Sequence, residues 1–172
     1  MSIRVPSVRP VLAVILAAGA LAACATTPTA GSYGPPSSAF STEAFAWSAR
    51  SGSAGIDGRV EFTREGAAYA CTGSVALTPD TPYTRARFQT LYGSTERAAI
   101  PEAVVRARTV ADPNGDYRSF VRSSTCADGR FAFAGLPDGG WFLIAPVSAG
   151  GDRIVLMRRV ETRGGRVITV NM

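Results

Sequence analysis

Three cysteines, Cys24, Cys71 and Cys126, stand in a chain of 172 residues that has no histidine and whose 18 basic residues are all arginine. Without imidazole or amine side chains, Ser-His-Asp and Cys-His sets, Ser-Lys dyads, Schiff-base lysines, histidine-containing zinc sites and Walker loops are all excluded. Carboxylate chemistry survives, because spacing alone does not exclude a glycosidase pair, but no Asp-Thr/Ser-Gly motif and no evident acid pair occurs. Ser53 lacks the Gly-x-Ser-x-Gly spacing of a nucleophile elbow. A non-catalytic protein without cofactor or metal is expected. Asp112, Asn114 and Asp116 alternate like the start of a calcium loop, yet Tyr117 and Ser123 stand where glycine and the closing glutamate belong, so a plain hairpin turn is the better reading.

The first two dozen residues are set apart from the fold. Arg4 and Arg9 form a positive region, and an uncharged stretch from Val11 to Ala23 follows, too short to span a bilayer. It ends in Leu21-Ala22-Ala23-Cys24, which resembles the lipobox of bacterial lipoproteins. The resemblance implies a signal peptide over 1–23 and lipidation of Cys24 with a diacylglycerol thioether and an N-acyl chain such as palmitate, enough for stable anchoring. An ordinary secretory signal followed by a chance cysteine is the alternative. The expected place is the cell envelope, tethered to the membrane and facing the periplasm. Ala25 lacks the aspartate tied to inner-membrane retention in well-studied lipoproteins, which leans toward the outer membrane.

Residues 24–55 then read as the lipidated cysteine and a flexible tether rich in Ser, Thr, Pro and Gly, too apolar-poor to offset its own ordering entropy. Within it Phe45 and Trp47 alternate and predict a short strand, or else a sticky unstructured spot. From Ile56 onward the period is two. Strands are predicted at 59–63, 73–79, 103–111, 117–124, 130–137, 140–147, 153–161 and 166–172, separated by turns rich in Asn, Asp and Gly. One stretch reads as a helix: Asp80 or Thr81 caps it, Pro82 opens it, Phe88, Leu91 and Tyr92 share a face, and Gly93 ends it. The fold expected is all-β, a single antiparallel β-sandwich with one short inserted helix.

Residues 129–141, "GRFAFAGLPDGGW", resemble the carboxypeptidase regulatory-like domains, which are transthyretin-like sandwiches, at Gly129, Phe131, Phe133, Leu136, Pro137, Gly139 and Trp141. Gly58-Arg59-Val60 and residues 73–77 resemble the opening strands of that family, so the likeness spans 56–172. Trp141 stands where tyrosine is usual, and residues 78–128 exceed the plain connection of the family. The motif also has its own physics. Phe131 and Phe133 point to one face of a strand, and Trp141 and Leu143 alternate with Phe142 and Ile144 as in a strand covered on both sides. These residues are read as core.

Cys71 and Cys126 are an even pair in an oxidising compartment, so a disulfide is expected; the alternative, a reactive or metal-binding pair, lacks a neighbouring imidazole. Once Arg4 and Arg9 are removed, 16 arginines face 13 acids. No basic run exceeds Arg158-Arg159 and aromatics do not interleave with basics, so nucleic acid is not expected as a partner. Two functions from different classes remain. One is a structural or interaction module docking on an envelope protein, as the family resemblance implies. The other is a carbohydrate-binding module for peptidoglycan or envelope polysaccharide, touching sugar through Tyr83, Tyr92 and Tyr117, although Tyr92 and Phe88 equally suit a helix packing face.

Overall fold

The computed structural model describes residues 38–71 and 73–172. The expected signal peptide, Cys24 and the tether up to residue 37 lie outside the described residues. In chain order the elements are α1 (Thr42–Phe45), a 3-10 turn (Ala46–Ala49), β1 (Ala54–Arg59), β2 (Phe62–Arg64), β3 (Ala67–Cys71), β4 (Ser74–Pro79), α2 (Pro82–Tyr92) and β5 (Arg97–Pro101). There follow α3 (Glu102–Ala107), a second 3-10 turn (Asp116–Phe120), β6 (Arg122–Thr125), β7 (Arg130–Leu136), β8 (Gly139–Ala149), β9 (Asp152–Thr162) and β10 (Val167–Asn171).

β8 organises the rest because both of its faces are apolar. Trp141, Leu143, Ala145 and Val147 enter one core, and Phe142 and Ile144 a second one on the opposite side. Along one edge β8 pairs with β9 over its full length, from Gly139↔Thr162 to Ala149↔Asp152. Along the other edge it pairs with β4 near its start and with β3 near its end. β6 extends the sheet beyond β4, β5 beyond β9, and β2 beyond β3, which makes seven strands. The main core closes against a small sheet in the order β10-β1-β7, which contributes Ile56, Phe131, Phe133, Leu136 and Val170. The architecture is the expected β-sandwich. One pairing departs from a purely antiparallel pattern: β1 and β10 run parallel, Gly55↔Val167 to Arg59↔Asn171.

Two glycines admit aromatic rings. The ring of Phe131 lies where a Cβ on Gly58 would sit, and the ring of Trp47 does the same over Gly139, whose φ is +156°. Trp47 meets Trp141 edge-on at 4.9 Å, and the Trp141 indole N–H donates to Thr162 Oγ1 at 3.1 Å. The hydroxyl of Thr162 in turn donates to the Pro137 carbonyl at 2.8 Å, so the only polar atom of the largest core side chain is satisfied.

The second core lies under α2. Thr81 caps this helix in a reciprocal pair with Thr84, Pro82 opens it, and Gly93 closes it at φ +74°, as the sequence predicts. Phe88 packs edge-on against Phe142 at 4.9 Å, with Tyr92 and Met157 beside them. Asp80 is not the cap. Its buried carboxylate instead takes Arg85 and Arg159, each at 2.6 Å, and ties the start of the helix to β9.

Several expectations are corrected. Phe45 and Trp47 belong to the short helix and 3-10 turn rather than to a strand, and the domain starts upstream of 56, because Phe45 is fully buried against Phe40, Tyr83 and Phe120. Residues 103–111 are not a strand: Pro101 precedes α3, where Glu102 pairs with Arg106 one turn on and with Arg153 at 2.6 Å. The strand there is β5, just before. Residues 116–120 form a 3-10 turn, which leaves only 122–124 of the predicted 117–124 segment extended, in β6. The stretch 112–116 is no hairpin turn either. Asp112 and Asn114 accept backbone N–H groups two residues on, at 2.9 and 2.8 Å, and lead the chain into that 3-10 turn. β1 begins at Ala54 and ends at Arg59, and 67–71 adds a strand that was not predicted.

Cys71, at the end of β3, and Cys126, just past β6, form the expected disulfide with Cα atoms 6.1 Å apart. The bond closes a sequence separation of 55 residues. Replacing both cysteines with alanine is expected to lower the unfolding free energy by about 2–4 kcal/mol, read by equilibrium urea denaturation. A second prediction comes from the helix layer. Burial first, then the nearby Tyr117, pushes the Tyr92 phenol from its ordinary 10.0 up to about 12. The neutral phenol is thus favoured in the folded state. Its contribution is complete below pH 10 and is lost as pH rises toward 12, a decline of about 2–3 kcal/mol across that window. Thermal melts from pH 9 upward test this, with Tyr92→Phe flattening the decline.

Candidate functional site

The three tyrosines do not form a binding platform. Tyr83 is 2% exposed; its hydroxyl donates to the Asn114 carbonyl at 2.7 Å, and its ring sits among Phe40, Phe45 and Tyr117. Burial raises its phenol above the ordinary range. Tyr92 is 7% exposed and packs on Phe88. Tyr117 is half-buried, its plane 48° from that of Tyr83, with the Arg87 guanidinium 4.9 Å from its ring centre. Tyr83 and Tyr92 are therefore packing residues, and the expectation that all three contact sugar is corrected. In the stretch 129–141, Phe131, Phe133, Leu136, Pro137 and Trp141 are buried and Gly129 and Gly139 adopt positive φ.

Polar side chains gather instead on the outer face of the small sheet. Strand alternation sends Ile56 and Gly58 inward and Asp57 and Arg59 outward. Register then sets Asp57 between Ala132 of β7 and Thr169 of β10, and Arg59 between Arg130 and Asn171. Thr125 and Glu61 complete the walls of a groove of about 750 Å³. Arg59 is held by Glu61 at 3.1 Å. The groove offers carboxylate acceptors, guanidinium donors and hydroxyl and amide groups that do both, fixed on hydrogen-bonded strands.

A second cleft of about 640 Å³ opens at the mouth between the sheets, beside edge strand β5. Arg158 shares its strand face with Leu156 and Val160 of the main core, and Arg97 stands directly opposite it across the β5–β9 ladder. A guanidinium N–H of Arg158 donates to the Asn171 carbonyl. Burial, and then the charge of Arg97, depresses the Arg158 guanidinium below its ordinary value. Ala99, Leu156, Phe62 and Met172 give the cleft an apolar floor. Glu61 and Asn171 line both openings, so the two adjoin.

Asp57, Arg59 and Glu61 were not singled out from the sequence, although their spacing of two is a signal that could have found them; their meeting with Arg130, Thr169 and Arg158 depends on the register of strands far apart in the chain. Among the described residues no three metal-ligating side chains cluster, and no helix is long and apolar enough to cross a membrane.

No family model matches the chain, and no curated protein matches it. Among solved structures it is similar to a protein of Pseudomonas aeruginosa described as a "putative carbohydrate binding protein", with 21% sequence identity and a TM-score of 0.57. The likeness covers 77% of this chain and 97% of the other, and at that identity it is a likeness of fold.

Proposed function

We propose that this protein is a non-catalytic carbohydrate-binding module of the cell envelope, which meets its ligand on the outer face of the β10-β1-β7 sheet and is tethered through a lipid on Cys24. The observation that carries the reading is the groove over Asp57, Thr169 and Asn171, a rigid row of hydrogen-bonding side chains suited to sugar hydroxyls. The fold it has in common with the Pseudomonas aeruginosa protein supports the same reading.

A specific observation favours a second reading, a protein-docking module. Among the described residues β10 pairs only with β1, and Val167 on it is 61% exposed, so its outer edge is open to an added strand there. The carboxypeptidase regulatory-like resemblance of residues 129–141 fits this role in assembly.

Co-sedimentation of the mature protein with peptidoglycan sacculi and with envelope polysaccharide, at low and high salt, separates the two. Binding that persists, in weakened form, at high salt is expected, reduced about ten- to a hundred-fold by Asp57→Ala, the loss of one charge-assisted hydrogen-bonding group, and unchanged by Tyr117→Ala. Absence of sedimentation with either glycan would leave the β10 edge as the working surface. For the tether, Cys24→Ser is expected to move the protein from the detergent phase to the aqueous phase in Triton X-114 partition, and intact-mass analysis of the wild type to show an acylated N-terminal cysteine.

A further inference from the structure

We infer that the two adjoining clefts form one track for an acidic polysaccharide, its carboxylates taken by Arg59 with Arg130 on the sheet face and by Arg97 with Arg158 at the mouth between the sheets. The inference rests on the carbohydrate reading above and names the class of glycan.

Like charges directly opposite each other in an antiparallel ladder are destabilising. This fold has two such pairs, Arg59↔Arg130 and Arg97↔Arg158, and both border the openings that share Glu61 and Asn171. Arg59 has one carboxylate partner, Glu61. The ion pairs among the described residues include none for Arg130, Arg97 or Arg158. Arg158 is, besides, partly withdrawn from water and depressed by its neighbour Arg97. An anion between the guanidiniums of each pair relieves that repulsion and gains charge-assisted, bidentate hydrogen bonds.

Protection of a sheet edge does not account for the arrangement. An inward charge on an edge strand guards against edge-to-edge pairing, and Arg97 on β5 is placed for that; Arg158, on β9, is flanked by strands on both sides. The acceptors in the track separate a glycan from other polyanions. Asp57 and Glu61 sit beside the arginines, where the hydroxyls that every acidic sugar carries next to its carboxylate can donate to them, whereas a bare phosphodiester backbone brings no such donor. The aromatic lining of the track is Phe131, which is buried, and Phe62, which is half-buried with its ring against Tyr69, so there is no row of exposed rings of the kind on which bases stack.

The test is calorimetric titration of the mature protein with polygalacturonate and with its methyl ester, which keeps the sugar backbone and removes the charge. Polygalacturonate is expected to bind, and the ester at least about tenfold more weakly, since each charge-assisted hydrogen bond lost has an effect of that order. Arg97→Gln, Arg158→Gln, Arg59→Gln and Arg130→Gln should each weaken polygalacturonate binding about ten- to a hundred-fold, while Arg97→Lys, which keeps the charge and loses the bidentate fork, weakens it less than Arg97→Gln. Circular dichroism checks the folding of each variant. Should the two mouth variants fail to fold, the exposed pair Arg59 and Arg130 still decides the matter. Equal affinity for acid and ester, or binding to sacculi with none to polygalacturonate, overturns the inference and leaves the carbohydrate reading standing. No binding to any glycan, charged or neutral, ends both. Arginine-dependent binding to phosphatidylglycerol vesicles or to poly(dT), with none to polygalacturonate, overturns it in favour of a membrane or nucleic-acid surface.

Discussion

A strand apolar on both faces cannot stop at one layer. Trp141, Leu143, Ala145 and Val147 need a cover on one side of β8, and Phe142 and Ile144 need another on the opposite side. The small sheet supplies the first. The second comes from the long connection between β4 and β6, which carries α2 across the outer surface and sets Phe88 on Phe142. The insertion that sets this chain apart from a plain sandwich is thus the missing half of its core, and Asp80, gripped by Arg85 and Arg159, fixes it in place.

That division of labour decides which surface is free for a ligand. The outer face of the large sheet is occupied by α2, so its aromatic residues, Tyr83 and Tyr92 included, are consumed in packing. Among the described residues the small sheet has no such cover. Asp57, Arg59, Arg130, Ala132 and Thr169 remain in contact with solvent while the same strands bury Ile56, Phe131 and Phe133 beneath them. A binding face here is rigid for the reason the core is stable, because the alternate residues of each strand serve both.

Local chemistry was legible wherever a few neighbouring residues determine the outcome. Thr81-Pro82 and Gly93 bracket α2 by capping physics alone, and Phe131, Phe133 and Trp141 declare the β7–β8 hairpin by alternation and glycine. What was misread depends on partners far away. Phe45 and Trp47 alternate as in a strand, yet their helical turn is stabilised by Tyr83, Phe120 and Trp141, none of them visible from a Ser- and Pro-rich context. The β-branched residues of 103–111 yield to Pro101 and the Glu102–Arg106 pair, and β5, Arg-Ala-Ala-Ile-Pro, does not alternate polar with apolar residues. For the grooves, the charges were in view, but not the register that sets Arg59 against Arg130 and Arg97 against Arg158.

The parallel pairing of β1 with β10 links strands from opposite ends of the domain. A chain made from its N-terminus presents β1 early and β10 last, so the middle of the small sheet lacks one neighbour through most of synthesis. The hairpin of β8 and β9 can zip locally during that interval, whereas the edge of β1 must wait for distant contacts that carry a larger loop-closure cost. Until β10 arrives, the middle strand of the small sheet therefore keeps an open edge, which is the part of the folding chain most exposed to wrong pairing.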